Sequence, residues 1–201
     1  MGKSTVCGRV ADEVSRRGFR VGGIVTERSQ ASSVFLAETD SRYLVDLSTG
    51  ERIPFGRRAR EGAPEAWVPA GCDPAFPLGD DLTPGWEFGG QTFRFGEQAL
   101  VCGIGADLLV VDELGPLELR GGRGWAAALP ALRAGEFGAA LVVCRPELLD
   151  ELTTALRPGA GSTGEQPTKD ELPVFMLSVE NRGGMLSGLT REILGALSAS
   201  R

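Results

Sequence analysis

The sequence predicts an α/β domain in which helices flank a largely buried sheet and a small antiparallel β-meander lies early in the chain. Three observations carry this expectation. Segments with helical and strand periodicity alternate along the chain, the pattern of a sheet with helices packed on it. The runs Leu108-Leu109-Val110-Val111 and Ala139-Ala140-Leu141-Val142-Val143-Cys144 are continuously apolar, as strands covered on both faces are. Short β-rich runs between residues 34 and 55 are separated by Thr39-Asp40-Ser41 and Ser48-Thr49-Gly50, both turn formers.

Taken in order, residues 3–17 predict a helix, because Val6, Val10 and Val14 recur every fourth position and Gly18 can stop it. Residues 19–27, FRVGGIVTE, predict a strand. The meander follows as strands 34–38, 43–47 and 52–55. From about 48 to 91 the chain reads as a loop-rich insertion, with Gly, Pro and acidic residues and little periodicity beyond residue 57. Residues 92–95 predict a short strand, 96–102 a short helix and 108–111 a buried strand. Trp125, Leu129 and Leu132 fall at helical spacing, with Pro130 expected to kink that helix. A strand at 139–144 precedes a helix opened by Pro146 and carrying Leu148, Leu149, Leu152 and Leu156. Residues 157–171, RPGAGSTGEQPTKDE, have the composition of a flexible loop. A strand at 174–179 and a helix marked by Leu186, Leu189, Ile193 and Leu197 complete one domain spanning 1–201.

Composition removes several kinds of chemistry. With 42% hydrophobic content, 201 residues suffice for one domain with a real core. Lys plus Arg is 21 and Asp plus Glu is 27, a formal charge of -6, which argues against a nucleic-acid partner because phosphate contacts need clustered cations. Arg16-Arg17 and Arg57-Arg58-Ala59-Arg60 read as solvated surface. With His 0, histidine triads, bases and metal ligands are all excluded. Cys7, Cys72, Cys102 and Cys144 lack zinc-type spacing, and Cys102 and Cys144, in apolar runs, are expected to be buried. No run reaches the roughly 18 apolar residues of a membrane span, and no secretory signal pattern opens the sequence. The expected setting is cytoplasmic and reducing.

The chemistry centres on two stretches. Gly2-Lys3-Ser4-Thr5 is the right half of the phosphate loop G-x-x-x-x-G-K-[ST]. In such a loop, backbone N–H groups and the helix N-terminus hold phosphates. Lys3 would reach the β- and γ-phosphates, and Ser4 would offer a hydroxyl to Mg²⁺. The same residues also suit a plain helix start capped by Ser4. Leu108 to Val111 runs into Asp112-Glu113. An Asp at the end of a buried strand can hold Mg²⁺, a hard cation that takes oxygen ligands, and the adjacent Glu can polarise water. Two acids at the start of a loop are equally common. Their order along the chain, loop first and acids about a hundred residues later, favours nucleoside-triphosphate chemistry.

Weaker candidates flank these. Arg145 follows the 139–144 strand, where a cation could sense a γ-phosphate or simply begin a helix. Glu27 and Arg28 close a strand. Trp67, Trp86 and Trp125 read as packing groups. Gly103-Ile104-Gly105 lacks the third glycine of a dinucleotide fingerprint and precedes a strand rather than following one.

The stretches GKST, GGIVTERSQ with YLVDLSTGE, FRFGEQAL, LLVVDELGPLEL, VVCRPELL and VENRGG together resemble the small P-loop nucleoside-triphosphatases first known from thermophiles and found also in animals, including the cancer-related nucleoside-triphosphatase type. VVDELGPLEL is the most distinctive of them. The resemblance implies a RecA-like sheet, Mg²⁺, and hydrolysis of ATP, GTP and other nucleoside triphosphates with little base preference. It implies phosphate and metal binding by Gly2, Lys3, Ser4 and Thr5, metal binding by Asp112, water positioning by Glu113, and base or ribose contacts by Asn181 and Arg182. The family also has an apolar strand and a Gly-rich turn ahead of the position of Gly2, where this chain has Met1. The expectation is a native start further upstream. Without that strand, open edges near the middle of the sheet and weak hydrolysis are expected. A small-molecule or nucleoside kinase shares the loop and Mg²⁺ chemistry and is the rival enzyme reading; a non-catalytic nucleotide-binding fragment is the other.

Overall fold

Helix α1 (Lys3–Arg16) buries Val6, Cys7, Val10, Ala11 and Val14, the stripe that the valine spacing predicts. It is the first element of a computed structural model that describes residues 2–28, 42–58, 86–88, 91–157, 173–178 and 180–199. Strands β1 (Val21–Arg28), β2 (Arg42–Asp46), β3 (Arg52–Arg58) and β4 (Trp86–Phe88) follow, then helix α2 (Thr92–Cys102), strand β5 (Leu108–Leu114), and short helices α3 (Pro116–Leu119) and α4 (Ala128–Ala134). Strand β6 (Ala139–Cys144), a 3₁₀ turn (Pro146–Leu148), α5 (Leu149–Leu156) and α6 (Arg182–Ala199) complete the order.

The six strands form one sheet in the order β4-β3-β2-β1-β5-β6. The half from β1 to β6 is parallel, with Ile24 opposite Val111 and Val111 opposite Val142. The half from β1 to β4 is an antiparallel meander, with Val25 opposite Val45. Alternate residues feed two cores. Val25, Leu108 and Val110 meet α1 and α6 through Val10, Val14, Leu189 and Ile193. Ile24, Leu109 and Val111 meet α2, α4 and α5 through Leu100, Ala128, Leu132 and Leu152. Ile24, Leu109 and Val111 are fully buried, and each such side chain stabilises the fold by about 1.5–3 kcal/mol. This two-sided burial explains why the central strands read as continuous apolar runs.

Two glycines set how closely the second layer approaches. A Cβ on Gly22 would lie 2.6 Å from the Cα of Gly103, so the end of α2 rests directly on β1. Gly23 has φ +95° and faces the Val110 backbone, which a Cβ would overlap; no other residue adopts that geometry without strain.

Several expectations are corrected. Residues 92–102 form one helix, because Thr92, Gly96, Ala99 and Leu100 make a helical stripe against the sheet; the alternating T-F-R-F at its start only imitates a strand. Pro130 does not kink α4, because it occupies the first turn, where its missing N–H has no intrahelical acceptor; Trp125 precedes that helix. Within the stretch from 48 to 91, 52–58 and 86–88 are strands, the first longer than the expected 52–55, with Gly56 opposite Phe88. The 34–38 strand and most of the 157–171 loop lie outside the described residues. Residues 173–178 form no strand: among the described residues no backbone neighbour pairs with them, and Val174, Phe175 and Met176 are exposed. Among the described residues pairing runs unbroken from β4 to β6, and these two strands are outermost. Cys102 is exposed and Cys144 only half-buried, whereas Cys7 is buried. The cause is helix phase: Cys102 ends α2 off its buried stripe.

Candidate functional site

Four elements bring charged or hydroxyl side chains to one edge of the sheet. Strands β1 and β5 run parallel in register, so Thr26 and Asp112 emerge side by side at their C-terminal ends, where parallel α/β sheets place ligands. The Thr26 N–H (3.0 Å) and hydroxyl (2.8 Å) both donate to Oδ2 of Asp112. The Ser4 Oγ lies 3.1 Å from the Thr26 Oγ1. The start of α1 is thereby tied through β1 to β5.

Glu113, the next residue, lies between two cations. Lys3 Nζ is 3.5 Å from its Oε2 and Arg145 Nε is 3.0 Å from its Oε1. The irregularity in pairing between Asp112 and Leu114 leaves Glu113 without a partner on β6, and its side chain stays about one-third exposed. Asp112, by contrast, is 3% exposed. Burial pushes its carboxyl up from the usual range; the Thr26 N–H, the Thr26 hydroxyl and the Ser4 hydroxyl oppose the shift, and the charge of Glu113 adds to it. Burial, then Asp112, also raises the Cys7 thiol, while burial and then Glu113 raise that of Cys144. Neither thiol is a nucleophile at neutral pH.

Gly2, in extended conformation, precedes α1 with no side-chain cap, which leaves the first-turn amides facing outward from the helix N-terminus. Ser4 does not cap the helix. Thr5 is exposed, and among the described residues it makes no contact with the cluster. Glu27 and Arg28 continue β1 past Thr26 to an exposed end. The Asn181 amide is engaged within its own turn: it donates to the Met176 carbonyl at 2.6 Å and accepts from the Ser178 N–H at 2.8 Å. No contact ties Asn181 to Lys3 or Glu113 among the described residues. Arg182 begins α6. A cleft of about 750 Å³ between α1 and α6, lined by Arg9, Asp12, Glu13, Arg16 and Arg191 among others, includes none of the clustered residues and is not this site.

Two contributors escape the sequence reading. Thr26 is one of many strand threonines, and its role depends on a residue 86 positions away. Glu118 is buried beneath the turn that follows Glu113, accepting the Gly115 N–H at 2.8 Å and the Trp125 N–H at 3.1 Å. Desolvation raises its carboxyl, and those two backbone donors restrain the rise. Its place in VVDELGPLEL is a signal for a special role, but not for this one.

The donor set is compatible with Mg²⁺. Among the described residues no group of three His, Cys, Asp or Glu could form a protein cage for a metal. Ser4 and Asp112 instead supply two hard oxygens, the small protein share that Mg²⁺ takes when water and phosphate oxygens complete its shell.

In a search of solved structures the chain matches the solution structure of a human cancer-related nucleoside triphosphatase, with a TM-score of 0.59 and 19% identity over 100% of this chain and 94% of that one. The shared fold bears out the expected α/β class. No family model matches the sequence, and neither does any curated protein. No helix among the described residues is long and apolar enough to cross a membrane.

Proposed function

We propose that this chain is a Mg²⁺-dependent nucleoside-triphosphate hydrolase, releasing a nucleoside diphosphate and phosphate from ATP, GTP and related nucleotides. One observation carries the reading. The helix that begins Gly2-Lys3-Ser4 meets the acidic strand end Asp112-Glu113 through the Lys3–Glu113 ion pair and the Ser4–Thr26–Asp112 relay. A cation, an uncapped helix N-terminus, two hard oxygen ligands and a second carboxylate thus share one sheet edge.

Each residue has a distinct task. The first-turn amides of α1 and Lys3 hold phosphate oxygens. Ser4 and Asp112 would hold Mg²⁺, which, when bound, offsets charge on the phosphate oxygens. Thr26 keeps the Asp112 carboxylate aimed at that position. Glu113 orients the attacking water and accepts its proton. Asn181 and Arg182 at the head of α6 are proposed to meet the nucleoside. The contacts on the phosphate side require no particular base, which agrees with broad base tolerance.

The test is binding first and turnover second. A fluorescent triphosphate analogue should bind with Mg²⁺, and the chain should release phosphate from both ATP and GTP. Glu113→Gln should keep the binding and lose about 10²–10⁴-fold in turnover, the usual contribution of a positioned base. Wild-type turnover in that variant, or no binding by the parent chain, rejects the proposal.

A further inference from the structure

We infer that Arg145 distinguishes a triphosphate from a diphosphate by leaving Glu113 for the terminal phosphate. The inference rests on the hydrolase reading and assigns that site a specificity determinant. Three observations support it. First, Arg145 immediately follows β6, which is paired in parallel with β5 from Leu108 to Leu114. Its backbone is therefore fixed beside Glu113 at the sheet edge, in extended geometry at φ -82° and ψ 146°. Second, its hold on Glu113 is partial. Only Nε engages the carboxylate, at 3.0 Å; the remaining guanidinium donors have no partner among the described residues, and the side chain is about half exposed. Third, Lys3 and Arg145 bring two positive charges to one carboxylate, so the trio carries one surplus positive charge.

These facts give a direction to the exchange. An arginine fork binds best when two parallel N–H groups meet two oxygens of one anion. The Glu113 contact uses one N–H, and the second carboxylate oxygen is already occupied by Lys3. A terminal phosphate offers more charge and two or three oxygens to the unused donors. Its arrival draws Arg145 away from Oε1 and leaves Glu113 free on that side to face water. A diphosphate is one phosphoryl group shorter. It occupies the helix N-terminus and Lys3 and leaves Arg145 on Glu113. Arg145 thus couples the presence of a third phosphate to release of the carboxylate that acts on water.

The experiment compares dissociation constants for a non-hydrolysable triphosphate analogue and the matching diphosphate, both with Mg²⁺, in parent chain and variants. Arg145→Ala should weaken the triphosphate analogue about 10- to 100-fold, as loss of a charged hydrogen bond does, and leave the diphosphate within about twofold. Arg145→Lys retains the charge without the fork. It should lose several-fold on the triphosphate alone, and it decides the matter if the alanine variant does not fold. Glu113→Gln should tighten the triphosphate analogue severalfold, since its ion pair no longer competes for Arg145. Equal weakening of both ligands, or an unchanged ratio in both Arg145 variants, overturns the inference while leaving the hydrolase reading intact. A parent chain that binds neither ligand removes the hydrolase reading and this inference with it.

Discussion

Thr26 gives both of its donors to a single oxygen of Asp112, the N–H at 3.0 Å and the hydroxyl at 2.8 Å. Asp112 is almost completely buried, and an ionised carboxylate there depends on such donors to offset lost hydration. Thr26→Val preserves shape and the N–H but removes the hydroxyl. It should cost about 1–3 kcal/mol in unfolding free energy at neutral pH, read by urea denaturation, and should weaken Mg²⁺-dependent nucleotide binding. Thr26→Ser should recover most of both losses. If valine proves neutral in both assays, the relay has no structural or functional weight.

Asp112→Asn should separate stability from function. Burial raises the folded-state pKa of Asp112. A group shifted this way contributes stability that is fully present below its ordinary carboxyl range and is lost as pH rises through the folded-state value. At neutral pH the charged form is therefore a liability. Asn can still accept from Thr26, so the variant should be more stable than the parent at pH 7, by roughly 0.5–2 kcal/mol, and the difference should shrink in acid. Thermal unfolding at several pH values measures this, and phosphate release should fall in the same variant.

Glu118 holds the turn behind Glu113 through the N–H groups of Gly115 and Trp125. Its raised folded-state pKa has the same sign as that of Asp112, so its contribution also declines from mild acid toward neutral pH. Glu118→Gln should flatten that part of the stability–pH curve. Glu118→Ala leaves both backbone donors without an acceptor, at about 1–3 kcal/mol each. The expected result is a clear fall in unfolding midpoint for alanine and a smaller one for glutamine.

Gly96→Ala sets two effects of opposite sign against each other. In a helix interior alanine is favoured over glycine by about 0.8–1 kcal/mol. A Cβ at Gly96, however, would overlap the buried Trp125 indole, and overpacking of a filled core costs typically about 1–3 kcal/mol. Trp125 is also in contact with Phe55 and Phe93, with ring centroids at 6.1 and 5.3 Å, which leaves it little room to yield. A net loss of stability is expected in chemical denaturation, and a net gain would show that the indole can shift.

Legibility in the sequence followed the range of the interaction. The valines of α1, the apolar run of β5 and the run of β6 each reveal their element, because burial imposes a local period that a short window exposes. Gly2-Lys3-Ser4 and Asp112-Glu113 stand out in the sequence as candidates because each is a compact motif. Reading failed where neighbours distant in sequence determine the outcome. Thr92 and Phe93 resemble a strand until the sheet beneath selects the helical face. The apolar segment 173–178 has no pairing partner among the described residues and forms no strand. Thr26 and the contact of Arg145 with Glu113 have no local signature at all, and the motif around Glu118 does not reveal its task.

The amino-acid order alone was sufficient to specify the α/β class, most of the elements, and the residue types able to hold phosphate and a hard cation, since these depend on periodicity and on motifs a few residues long. Bringing those residues together was the work of parallel pairing between β1, β5 and β6, which sets Thr26, Asp112 and Arg145 on one edge within reach of Lys3. Hydrogen bonds and ion pairs act over about 3–4 Å, and residues far apart along a chain reach that distance only after the sheet has formed.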